Sequence, residues 1–121
     1  MLFTAILFTA CQVIAETIIP GGNVSGTWDE AGSPYLIEGD ITVPAGNTLN
    51  IEAGVDVIFQ SLYGFTVNGF LEAQGSMKNP IVFSPADSGL GWLGIRFISA
   101  RDFIHLTYSI SKPGKASVTE P

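Results

Sequence analysis

The sequence is short of the groups that most often carry chemistry. Its 121 residues include one cysteine, Cys11, and one histidine, His105. A single cysteine closes no internal disulfide and builds no thiolate metal cage. Basic residues are missing from the whole first half. Glu16, Asp29, Glu30, Glu38, Asp40, Glu52, Asp56 and Glu72 all precede the first of them, Lys78, and the formal net charge is −6. Phosphate binding needs Lys and Arg, so nucleic acid is excluded as a partner. The acids read as a solvated face. No apolar run reaches the about 20 residues that span a bilayer. Charged residues are few, 13%, but 46% of the chain is hydrophobic, which is not the composition of a disordered segment. Without disulfides or metal, stability has to come from packing.

What is present begins with "MLFTAILFTACQVIAET". Leu2 to Ala15 is apolar or small. It fits the apolar region of a secretory signal, with Val13-Ile14-Ala15 as a small-residue cleavage site before Glu16. One element of such a signal is missing: no Lys or Arg precedes the apolar run. Two other readings stay open. The segment could be a buried first helix or strand. Alternatively Phe8-Thr9-Ala10-Cys11 resembles a bacterial lipoprotein box, in which the cysteine is lipidated, although Phe stands where Leu is usual.

The rest of the chain is self-similar. Ile41-Thr42-Val43 recurs as Phe65-Thr66-Val67, 24 residues on (65 − 41). Val57-Ile58-Phe59 recurs as Ile81-Val82-Phe83 at the same offset (81 − 57). Leu71 maps to Ile95, Ala73 to Phe97 and Val82 to Leu106. Runs of three to five apolar residues separated by Gly, Pro, Asn and Ser are strands and turns. A repeat of about 24 residues is too short for a pair of helices, which needs about 33. Stacked strands about 4.8 Å apart would bury each coil against its neighbours. Pro44-Ala45-Gly46 and Glu52-Ala53-Gly54 are then corners. Ile41, Val43, Leu49, Ile51, Val57 and Phe59 face inward, while Thr42, Asn50 and Asp56 face outward. The competing architecture is an antiparallel sandwich, for which Asn68-Gly69 would be a hairpin turn. The fixed offset favours a parallel solenoid.

"GTWDEAGSPYLIEGDITVPAGNTLNIEAGVDVIF", "FTVNGFLEAQGS", "NPIVFSP" and "GWLGIRF" together resemble the N-terminal end of bacterial right-handed parallel β-helix proteins of the pectate-lyase-like superfamily. The resemblance covers residues 24–121. It implies an all-β right-handed solenoid of about four short coils, and an exported or cell-surface location. It also implies that Trp28 and Tyr35 belong to a cover over the first coil. The chain divides accordingly into a signal peptide (1–15), a cap segment (16–38), coils (39–111) and a polar tail (112–121). In the family the coils continue well past this length, so the product reads as a fragment truncated at its C-terminus.

Family lyases gather carboxylates from adjacent coils around calcium, with an Arg or Lys as base, and the hydrolases use paired aspartates. At the 24-residue offset no carboxylate stacks on another here: Asp40 maps to Gly64, Asp56 to Pro80, Glu52 to Ser76 and Glu38 to Leu62. His105 falls in the column of Val57 and Ile81 and reads as structural. Lys78, Arg96 and Arg101 are too sparse for a basic groove. Trp92 either stacks on a sugar or packs beside a coil, and the resemblance favours packing. The expectation is therefore a non-enzymatic structural or adhesive module, with no catalytic, cofactor or metal residues. Its partners would be carbohydrate or cell-surface components, or a second copy joined through an open C-terminal coil. The alternative is the first coils of a polysaccharide lyase or glycoside hydrolase whose active site lies beyond residue 121. Glu72 with Arg96, and Lys78 with Asp102, should pair across neighbouring strands. For export, N-terminal sequencing of secreted material should begin at Glu16; full-length protein retained in the cytosol would contradict the leader.

Overall fold

The computed structural model describes residues 16–98, 104–107 and 109–111. The leader 1–15 with Cys11, the residues Arg101 and Asp102, and the tail 112–121 lie outside the described residues. Thirteen short strands account for nearly all the regular structure. In chain order they are β1 (Thr17–Ile19), β2 (Gly22–Asn23), β3 (Gly26–Trp28), β4 (Tyr35–Ile37), β5 (Ile41–Val43), β6 (Thr48–Ile51), β7 (Asp56–Phe59), β8 (Phe65–Val67), β9 (Phe70–Gln74), β10 (Ile81–Pro85), β11 (Ile95–Phe97), β12 (Ile104–Thr107) and β13 (Ser109–Ser111). One 3-10 turn, Glu30–Gly32, interrupts the series.

Among the described residues no strand pairs with the next one in the chain. Each pairs in parallel with the strand three places on, which gives three sheets: β1-β4-β7-β10-β13, β2-β5-β8-β11 and β3-β6-β9-β12. The chain thus visits the three sheets in turn and returns to each beside its own previous pass. Asn68-Gly69 is not a hairpin, because β8 and β9 lie in different sheets. The corners are stitched in the same direction as the strands. At the entry to the second sheet, Gly22 N donates to Asp40 O, Ile41 N to Gly64 O and Phe65 N to Gly94 O. At the exit of the first, Glu38 N donates to Ile19 O, Gln60 N to Ile37 O and Ala86 N to Phe59 O. Backbone groups that a turn would otherwise leave unpaired are satisfied by a neighbouring circuit, the following one at the entry and the preceding one at the exit.

Side chains alternate strictly. Ile41, Val43, Leu49, Ile51, Val57 and Phe59 are all buried, while Thr42, Asn50 and Asp56 lie on the outer side. The interior is wholly apolar among the described residues. Trp28 and Tyr35 stack at 4.8 Å and 13° inside it. Each aromatic or aliphatic side chain buried this way contributes about 1.5–3 kcal/mol relative to exposure.

The register corrects the fixed repeat. The offset of 24 holds between β5 and β8, where Ile41 pairs with Phe65 and Val43 with Val67. Elsewhere it changes. Leu49 pairs with Leu71 (71 − 49 = 22), Val57 with Phe83 (83 − 57 = 26) and Phe65 with Ile95 (95 − 65 = 30). Ile95 is therefore the partner of Phe65, not of Leu71, and Leu106 pairs with Ala73, not Val82. Phe97 pairs with Val67 instead of Ala73. Glu72 and Arg96 sit in different sheets and form no register pair. The cause is corner length. Between the first and second sheets the connections are residues 20–21, 38–40, 60–64 and 86–94. Corners grow outward without disturbing the ladder, so they accept insertions that strands do not.

The two-residue corner 68–69 packs directly on corner 44–47. A Cβ at Gly69 would lie 2.3 Å from the backbone oxygens of both Pro44 and Asn47. Gly46 differs: it has φ +86° with open space around it, so a side chain there meets conformational strain alone. Gly69→Ala should cost about 2–3 kcal/mol and Gly46→Ala about 1–2 kcal/mol. Urea unfolding midpoints would show the order, and equal costs would contradict the close approach of these corners.

Candidate functional site

Outward positions of paired strands line up into columns, one residue per circuit. On the third sheet the column is Thr27, Asn50 and Glu72, and in register with them His105 on β12. His105 therefore belongs beside Glu72 and not in the column of Val57 and Ile81. A shallow cavity of about 280 Å³ runs along this face, lined by Thr27, Asn50, Glu52, Glu72 and Gln74 among others. On the second sheet the column is Asn23, Thr42, Thr66 and Arg96. A second cavity of about 330 Å³ lies there, lined by Asp40, Gly64, Thr66, Leu93 and Arg96. Its floor is fixed by Asp40, whose Oδ1 accepts from Gly64 N at 2.8 Å. The first sheet presents aliphatic side chains instead: Ile18, Leu36 and Ile58 are register partners, and Ile18 is 46% exposed.

The register relocates the acids as well. Asp56 pairs with Val82 rather than stacking over Pro80. Trp28 pairs with Ile51, so Asp29 and Glu52 each follow a paired residue and open two successive, stacked corners. Asp29 caps the 3-10 turn, with Oδ1 accepting from Gly32 N at 3.1 Å. Both charges bear on Tyr35. Burial and then the Asp29 charge raise its phenol above the ordinary value of 10.0, with Glu52 adding to the effect. The hydroxyl donates to Asp29 O at 3.0 Å. Sequence reasoning missed this pair of acids because it spaced them by the wrong offset. Among the described residues no three of His, Cys, Asp and Glu gather as a metal would need.

Trp92 is fully buried, stacked on Phe59 at 4.3 Å and 16°, and it also faces Phe83. It fills the core from the long corner 86–94 and is not available to stack on a sugar. Its indole Nε1 has no hydrogen-bond partner among the described residues. Lys78 lies on a corner after the third sheet and Arg96 on the second sheet, so the two cations are not brought together.

No protein-family model matches the chain, and no solved structure matches it. Among curated proteins it is similar to Protein bark beetle of Drosophila melanogaster, 45% identical over 80 residues. The match takes in 64% of this chain and 3% of that protein, so the chain spans a small fraction of the relative's length.

The Tyr35 environment has a consequence with a definite sign. Below pH 10 the phenol is neutral in folded and unfolded chains alike, and its contribution to stability is fully present. As pH rises past 10.0 the unfolded chain ionises first, and stability falls until the raised folded value is passed. Urea midpoints should drop above pH 10, and the drop should be shallower in Tyr35→Phe. An unchanged alkaline slope in that variant would contradict the buried, acid-flanked phenol.

Proposed function

We propose that the chain is a right-handed parallel β-helix module of an exported or cell-surface protein, with a structural or adhesive role and no catalysis of its own. One observation carries the reading: among the described residues no polar or charged residue is buried, and the outward positions of the second and third sheets line up hydroxyl, amide and charged groups in columns. Columns such as Thr27–Asn50–Glu72, with one residue about every 4.8 Å, suit repetitive contact with an extended partner. Hydroxyl, amide and carboxylate groups along them match the hydrogen-bonding groups of carbohydrate or cell-surface components. The apolar leader 1–15 supports export. Among the described residues β11, β12 and β13 are the end strands of their sheets, a place where a second copy could add strands.

The test is to incubate the purified chain with cell-surface polysaccharides and follow both retention and cleavage. The protein should be retained and should release no new reducing or unsaturated chain ends. Steady release of such ends, abolished by Glu72→Gln, would replace this reading with an enzymatic one.

A further inference from the structure

Asn23-Val24-Ser25 has the acceptor pattern for N-linked glycosylation, an Asn followed by any residue but Pro and then Ser or Thr. The other asparagines, Asn47, Asn50, Asn68 and Asn79, are followed two places on by Leu, Glu, Phe and Ile, so this is the single acceptor in the sequence. A pattern this short occurs by chance, and its placement decides whether it is usable. Three features favour use. Asn23 and Ser25 are both exposed, while Val24 between them is half-buried against the core. Val24 N donates to Thr42 O at 2.8 Å, which anchors the tripeptide by its middle residue and leaves its two polar side chains in solvent. The flanking Gly22 and Gly26 have φ +89° and +93°, and no atom lies within 4 Å of where their Cβ atoms would be. The surroundings are open on both sides.

Asn23 also occupies a particular place. β2 ends the second sheet and pairs, among the described residues, with β5 alone. Asn23 heads the outward column of that sheet, in register with Thr42. We propose that Asn23 is an N-glycosylation site and that its glycan shields the edge of β2 that no described strand covers. This rests on the export proposed above, into a secretory pathway that contains an oligosaccharyltransferase. There the Asn23 amide nitrogen bonds to the anomeric carbon of a lipid-diphosphate-linked oligosaccharide. The bond from that carbon to the diphosphate oxygen breaks, the diphosphate leaves on its lipid with the electron pair, and the amide proton passes to a base of the transferase. No oxidant or reductant is involved. A bulky, hydrated group on β2 then keeps a second chain from adding a strand to that edge.

The experiment is cell-free translation of the full chain with animal endoplasmic-reticulum microsomes. Protease protection reads translocation, and a size shift reversed by endoglycosidase reads the glycan. A parallel sample carries a cleavable leader of known activity fused ahead of Met1. The protected chain should show one glycan, lost in Asn23→Gln and in Ser25→Ala and kept in Ser25→Thr. Peptide mapping after enzymatic deglycosylation should place Asp at position 23. A chain that is protected and yet unshifted would overturn the site whichever leader delivered it. A chain left outside with its own leader, but shifted with the added one, would uphold the site and refute export by residues 1–15.

Discussion

Parallel backbone pairing between successive circuits is the constraint on which the rest of the structure depends. Every strand is two to five residues long, too short to persist as an isolated pair. Each gains its partners only when the chain has travelled round the other two sheets and come back. Sheet, corner and core of each circuit therefore depend on the neighbouring circuit. The corner hydrogen bonds obey the same rule, since Ile41 N finds Gly64 O and Phe65 N finds Gly94 O one circuit further on. A ladder of this kind places no demand on what happens outside it, which leaves the outward columns free to vary.

That freedom explains the contrast among the three faces. The inner positions are fixed by packing: Val43 lies beside Val67, Leu49 beside Leu71, and Phe59 beneath Trp92. The described outer positions hold Ile18, Leu36, Ile58 and Val82 with Asp56 and Ser84 on the first sheet, hydroxyl and amide groups ending in Arg96 on the second, and hydroxyl, amide and carboxylate groups on the third. An adhesive role and a glycan on β2 both draw on this division. The core supplies rigidity, and the exterior supplies chemistry at a spacing set by the backbone.

Much of this was legible in the sequence where strands carry the signal. The alternation of Ile41, Thr42 and Val43, repeated at Phe65, Thr66 and Val67, gave both the inward faces and the parallel pairing, because this pair of strands keeps the offset of 24. The offset failed elsewhere for a physical reason. Corner residues carry no period and can be added without cost to the ladder, so corner 86–94 is far longer than 20–21. Trp92 illustrates the limit. Gly91 and Gly94 beside it, both with positive φ, mark a tight loop, but only the folded chain shows that the indole turns back onto Phe59. The action of both Asp29 and Glu52 on Tyr35 was hidden in the same way, since it goes with a pairing of Trp28 with Ile51 that the offset of 24 does not predict. For Asn23 the motif is in the sequence, whereas its exposure and its edge position are properties of the fold.

The central claim is a set of parallel registers with unequal offsets, and solution NMR of the purified chain tests it most directly. Interstrand backbone NOEs should join Thr42 with Thr66, Leu49 with Leu71, Val57 with Phe83 and Phe65 with Ile95, in the pattern of parallel strands. Short Hα–Hα contacts of antiparallel neighbours, or contacts of Leu71 with Ile95 at a constant offset, would contradict it.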